Sequence, residues 1–232
     1  MALGGTAILC AITGCDEGSI SDSDPYSQSA YVGGNNREID ELDLLGSHGG
    51  ASEGDIHHAL TSSREGSVHA QLGSALLVVQ SGATAPDSIM LGAIEKSYRV
   101  FPFSGVTAEE KHRDGSLGRN LRLAAARSGC THVLCYWGKV ESIREDEVTK
   151  TVSWVPIIGY LVPDEGRTTR LRVRAVLIDV ASGRSVALTP PAAQNSALSS
   201  SQTRSGSHDK QIYDLKTEAY AGLVAQLTGR PG

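Results

Sequence analysis

Clustered positive charge is missing from this chain. Its 21 Lys and Arg are outnumbered by 26 Asp and Glu, which gives a formal charge of -5 and a pI near 5.8. A nucleic-acid footprint needs basic residues gathered on one face. The longest basic pattern, Arg170, Arg172 and Arg174, is a single row along one strand, so no nucleic acid is expected as a partner. A membrane-spanning run is missing too, because the apolar stretch at the amino terminus falls short of the roughly 20 residues that a bilayer requires. Neither an HExxH zinc helix nor a GxSxG nucleophile elbow occurs, which leaves hydrolytic chemistry without a visible centre. The apolar fraction of 40% is slightly low for a fully globular chain. One good core plus a less packed segment is the expectation.

What is present starts at residue 1. The run MALGGTAILCAITG stops at Cys15 and gives way to acidic and small polar residues, the outline of an export signal. Ile12, Thr13, Gly14 and Cys15 resemble the bacterial lipoprotein cleavage box, whose cysteine becomes the lipid-modified first residue of the mature protein. The resemblance implies a signal segment over residues 1–15 and lipidation at Cys15, palmitate included. It also implies a protein anchored by lipid in the bacterial cell envelope and facing the periplasm. Asp16 at the second mature position does not decide between inner and outer membrane. Cys10 would leave with the signal, so Cys130 and Cys135 would be the remaining thiols. On one strand their α-carbons would stand roughly 16 Å apart, far beyond disulfide reach, and both are expected to be reduced and buried.

Residues 16–70 are dominated by Gly, Ser, Asp, Glu and Asn and read as a poorly ordered tether. A flexible segment of that length would have a reach of about 40 Å. Two short helical patterns interrupt it, around Ile39, Leu42 and Leu45 and at Asp55 to Leu60. The folded domain is expected over residues 71–230. ALLVVQ, residues 75–80, is a buried strand; Thr84 and Pro86 introduce a helix through Ile89, Met90, Ala93, Ile94 and Tyr98. RVFPF is a short edge strand. Leu117, Leu121, Ala124 and Ala125 stripe a second helix stopped at Gly129, and HVLCYWG is a central strand. A β-hairpin insertion over about 139–170 contains Val148, Val152 and Trp154 in alternation and the apolar stretch IIGYLV. In TRLRVRAVLIDV, the row Arg170, Arg172 and Arg174 is wet while the second half is apolar on both faces. Asp179 and Gly183 organise a turn into SVALTP, a Ser-rich loop reaches His208, and Ile212, Leu215, Ala219, Leu223 and Leu227 stripe a last helix. The fold class is therefore α/β, a single mixed β-sheet packed by about three helices.

The helix ending in LAAARSGCTHVLCYWGKVE, followed after the insertion by LRVRAVLIDVASGRSV, resembles a pattern of bacterial envelope proteins. These are the penicillin-binding-protein activator lipoproteins, the curli secretion channel lipoprotein and the amino-terminal domain of the Tol periplasmic protein. In them a strand ends near Gly, here Gly138, and a later strand closes on an Asp and a Gly, here Asp179 and Gly183. This chain departs from them after its first strand, where Gln80, Ser81 and Gly82 replace Pro and Phe.

No reaction is declared by any constellation. His48, His57, His58 and His69 crowd into the tether without a rigid frame, so no metal is expected, nor any cofactor. The expected function is that of a lipid-anchored module that binds another envelope protein and has no catalysis of its own. Trp154, Ile157, Ile158, Tyr160 and Leu161 are its candidate contacts, as exposed apolar residues of the insertion. The alternative is a homo-oligomeric, secretion-channel-like lipoprotein that uses the 139–170 hairpin, and a peptidase-like enzyme ranks below both.

Overall fold

The computed structural model describes residues 16–21, 41–45, 52–63, 67–104, 116–145, 166–198 and 204–229. Within them, seven strands form one mixed sheet and five helices flank it. Its spine is a long hairpin, β4 (His132–Glu145) and β5 (Gly166–Asp179), paired antiparallel in continuous register from His132↔Asp179 to Glu145↔Gly166. Shorter strands complete both outer edges. On β4, the strand β2 (Ala75–Gln80) pairs parallel with residues 132–136, and β1 (Asp16–Ser19) pairs antiparallel with residues 139–142. On β5, β6 (Ser185–Leu188) covers residues 175–178 and β7 (Ala193–Leu198) covers residues 166–171. Outside β2 lies β3 (Arg99–Pro102), parallel to it, and Pro102 falls on this edge strand, where no ladder donor is lost.

Two apolar layers sandwich the sheet. One face of β2, β4 and β5 packs against α3 (Ser88–Ile94) and α5 (Arg204–Leu227) through Leu76, Leu134, Val173, Met90 and Leu223, among others. The opposite face meets α4 (Leu117–Arg127) and α1 (Glu41–Leu45) through Leu77, Val133, Ile178, Leu121 and Leu44. Strands covered on both sides carry no polar alternation, which is why all six residues of β2 are buried. The remaining helix, α2 (Glu53–Ser63), has most of its described side chains exposed. A mixed sheet packed by helices is thus the architecture, with α1 and α2 in addition to the three helices of the periodic patterns.

Four details differ from the sequence expectations. Residues 16–70 supply α1 and α2, where the two short helical patterns stand, and also the sheet strand β1 at Asp16–Ser19, which no pattern announced. The N-cap of α3 is Asp87, whose Oδ1 accepts from Ile89 N at 3.0 Å, and the helix starts two residues later than Pro86 predicts. The strand containing HVLCYWG does not end at Gly138 but runs on to Glu145. Gly138 is required there because an added Cβ would lie 2.8 Å from the Arg172 carbonyl and 3.0 Å from Ile20 Cγ2. The Ser-rich loop before the last helix contains β7, which pairs through its backbone and needs no apolar signature.

Candidate functional site at the sheet edge beyond Cys15

The densest convergence of polar side chains lies under α5, where β2 ends. Lys216 Nζ donates to Asp87 Oδ2 at 2.8 Å, and both side chains are 3% exposed. Tyr220 OH donates to the same oxygen at 3.1 Å, one turn along α5. The backbone N–H of Asp87 is shared between Gln80 Oε1 at 2.8 Å and Tyr136 OH at 3.1 Å, and Tyr136 OH donates to Gln80 Oε1 at 2.6 Å. Gln80 Nε2 then donates to Ser21 Oγ at 3.1 Å, which donates to the Ser81 carbonyl at 2.7 Å. The rings of Tyr136 and Tyr220 meet edge to face with centroids 5.8 Å apart.

This chain of bonds joins β2, β4, α3, α5 and the segment that leaves β1. Each acceptor and donor named is committed to another member, and Asp87 and Lys216 are sealed from solvent, so no substrate atom reaches them. A closed, satisfied network of this kind fixes geometry rather than performing chemistry. Its outermost member, Ser21, clamps the segment that follows the first strand, while Ile20 is fully buried and its N–H donates to the Gly138 carbonyl at 3.1 Å.

The surface that this clamp supports is the distal half of the hairpin. Val133, Cys135 and Trp137 of β4 and Val176 and Ile178 of β5 lie on the α4 side. Continuing outward on that face, the register brings Trp137 beside Arg174, Lys139 beside Arg172 and Glu141 beside Arg170. The other face of the same stretch is buried through Val140, Leu171 and Val173. Arg172 Nε lies 3.3 Å from Glu141 Oε1 and its side chain is 55% exposed, while Arg170 donates to Gln194 Oε1 on β7 at 3.3 Å. A spanning barrel hairpin needs a continuous lipid-facing apolar row. Along the described strands the residues of that face include Lys139, Glu141, Arg170, Arg172 and Arg174, which form no continuous apolar row.

At the opposite, proximal end, Asp179 Oδ1 accepts from Ser182 N at 2.7 Å and Ser182 Oγ at 2.6 Å, and Gly183 has φ +75° in the same turn. A Cβ on Gly183 would collide with the Arg122 guanidinium, which donates to the Val180 and Ala181 carbonyls. A concavity of about 170 Å³ opens here beside Arg119, Arg122 and Gly183, below the roughly 300 Å³ typical of small-molecule sites. Burial pushes the Asp179 carboxyl up, yet the two Ser182 bonds and the nearby His132 and Arg122 more than offset it and hold it below its ordinary value. Burial also dominates at His132, lowering its pKa against the opposing pull of Asp179, 3.7 Å away.

That depression sets a pH dependence. With the folded value below the ordinary 6.5, the stability contributed by neutral His132 is complete above that value and is lost as pH falls through the folded one. The urea midpoint should therefore decline as pH drops from neutrality through this window, and His132→Gln should flatten the decline. An unchanged slope in that variant would assign the effect to other groups.

Cys130 and Cys135 are free, buried thiols; burial raises both, Cys135 to about 12, so neither is a ready nucleophile. Among the described residues no group of three His, Cys, Asp or Glu side chains could hold a metal ion. Cys15 and the five candidate contacts, Trp154, Ile157, Ile158, Tyr160 and Leu161, lie outside the described residues, and the structure brings none of them to a site. The polar cluster is what sequence reasoning missed. Its one advance signal was Gln80, the departure from the related pattern at the end of the first apolar strand.

Among the described residues the chain is an α/β sheet domain in which no helix is long and apolar enough to cross a membrane. The sequence model of the YafT bacterial lipoproteins matches residues 40–230, and the chain belongs to that family. A search of curated proteins finds no match. Among solved structures, the chain is similar to lipoprotein GNA1162 from Neisseria meningitidis, with 13% identity over 61% of this chain and 96% of that one and a TM-score of 0.27. It is also similar to a PelC dodecamer from Paraburkholderia phytofirmans, with 15% identity over 67% and 94% of the two chains and a TM-score of 0.26. At these scores the likenesses carry no argument.

Proposed function

We propose that the protein is a lipid-anchored module of the cell envelope, acylated at Cys15 and facing the periplasm, that binds another envelope protein and performs no catalysis. The observation that carries this reading is membership of a lipoprotein family in a chain with a lipobox-like sequence at Ile12 to Cys15. The sealed polar cluster supports it, because the best-assembled ionisable groups of the domain are closed to substrate. The resemblance to the activator, curli and Tol proteins points the same way, towards envelope assemblies. Trp154, Ile157, Ile158, Tyr160 and Leu161 are the proposed partner contacts, on the strength of their apolar sequence in the hairpin insertion.

Two measurements test this. The intact mass of the mature chain should correspond to a start at Cys15 plus attached acyl chains, and Cys15→Ser should abolish that mass; an unmodified wild-type chain ends the anchoring claim. Cross-linking in cells should give a specific adduct that disappears with Ile158→Asp, and an adduct that persists unchanged removes the proposed contact.

A further inference from the structure

The register of β1 fixes where a lipid on Cys15 would hold the domain. Asp16 stands level with Ser142 on β4 and Thr169 on β5, three pairs from the last described rung, Glu145↔Gly166. With strands about 4.8 Å apart and residues about 3.4 Å apart, the backbones of Arg170 and Lys139 lie roughly 10 Å from Asp16 and that of Arg172 roughly 14 Å. Residue 15 is one Cα step, about 3.8 Å, from Asp16. Little slack exists between acyl chains and sheet, because Ile20 is fully buried, its N–H is bonded to Gly138, and Ser21 is locked to Gln80 and Ser81.

We infer that the distal hairpin face carrying Lys139, Arg170, Arg172 and Arg174 is a phospholipid-binding surface, seated among the headgroup phosphates of the membrane that holds Cys15. This rests on the proposed acylation and adds an orientation to it. The chemistry is complementary: guanidinium groups make bidentate hydrogen bonds to phosphate, and basic residues near an anionic surface are attracted within about a Debye length, roughly 10 Å at 0.1 M salt. By register the acids of this face are Glu141, held by Arg172, with Glu17 of β1 and Glu145 of β4, three against four cations. Among the described residues no helix covers the face here, and its apolar contacts with the α4 side end at Trp137. The proximal end, where α3 finishes at Ile94 and β3 begins at Arg99, is about ten residue steps away along β4, roughly 34 Å.

The test uses the full acylated chain in vesicles of phosphatidylethanolamine and phosphatidylglycerol that contain lipids spin-labelled at the headgroup. A thiol-reactive fluorophore is placed at Gln194→Cys on the distal face or at Glu95→Cys beyond α3. Both native positions are exposed, and the buried Cys130 and Cys135 do not compete for label. Quenching should be several-fold stronger at position 194 than at 95. It should fall at 194 when Arg170, Arg172 and Arg174 are all changed to Gln, with the thermal midpoint retained. Equal quenching at the two positions, stronger quenching at 95, or indifference to the triple change overturns the inference. Mass spectrometry of the same sample separates the two readings: a chain without lipid overturns anchor and orientation together, whereas a lipidated chain with the wrong quenching pattern overturns the orientation alone.

Discussion

Lys216→Met should destabilise the domain by about 3–5 kcal/mol, the usual consequence of leaving a buried charge without its partner. Asp87 Oδ2 would keep the Tyr220 hydroxyl and Oδ1 the Ile89 N–H, but the compensating cation would be gone from a site that is 3% exposed. Out of a typical total of roughly 5–15 kcal/mol, that loss moves the urea midpoint far enough to measure without ambiguity. The double variant Asp87→Asn with Lys216→Met should recover most of it. Asparagine also caps helices, so the Ile89 bond is kept, and no uncompensated charge remains. The comparison isolates charge burial from packing, since Met fills much of the Lys216 volume. A single-variant loss under about 1 kcal/mol would show that the pair is hydrated in solution, because exposed ion pairs contribute that little. Equal losses in the single and double variants would assign the effect to Lys216 packing instead.

The same pair shows what the sequence could and could not convey. Apolar periodicity exposed β2, β4, α4 and α5, because each buries a regular stripe or a continuous run against its neighbours. Lys216 sits on the α5 stripe, four residues after Ile212 and four before Tyr220. A lone lysine in that place reads as a solvated flank unless the distant Asp87 is known to face it. Asp87 itself was legible as a residue of a helix start, but as a first-turn acid rather than as a cap with a buried cation. β1 and β7 were invisible for a different reason. DEGS and AQNSAL are short edge strands on the hairpin, held by backbone pairing that leaves almost no pattern in side-chain type. Gly138 gave a misleading signal, since a glycine near a strand end suggests termination. In the folded chain its missing side chain makes room for Ile20, a contact between residues 118 positions apart.

One packing relation ties the described start of the chain to the sheet, the pairing of β1 with residues 139–142 of the distal hairpin. Two short partners on each long strand mean that the hairpin's proximal rungs are held by β2 and β6 and its distal rungs by β1 and β7. The distal part is therefore the portion whose support depends on the residues nearest the proposed lipidation site, and under that proposal attachment and surface would be coupled through the hydrogen bonds of β1.

Ile20→Asp tests that coupling, and its effect should be large and local. Burying an isoleucine contributes about 1.5–3 kcal/mol, and a carboxylate cannot take its fully buried place beside Gly138 without several kcal/mol of desolvation. The less costly response is for β1 to leave the edge of β4, so the penalty is capped at the free energy of docking that one strand, as for any locally opening unit. Amide hydrogens of residues 18–21, and those of β4 that pair with β1, should lose exchange protection, while those of β2 and the proximal half of β4 keep theirs. Ile20→Val, with one methylene fewer, should cost about 0.5–1.5 kcal/mol and leave the strand docked. Freeing six residues adds roughly 20 Å of slack at about 3.4 Å per residue, enough to carry the basic face beyond the headgroup layer. In the acylated chain, quenching at position 194 should then drop although Arg170, Arg172 and Arg174 are intact. Retained protection of β1 in Ile20→Asp would show that Ile20 is not what docks the strand, and loss of protection throughout the sheet would show that β1 is part of the global fold rather than a separable clamp.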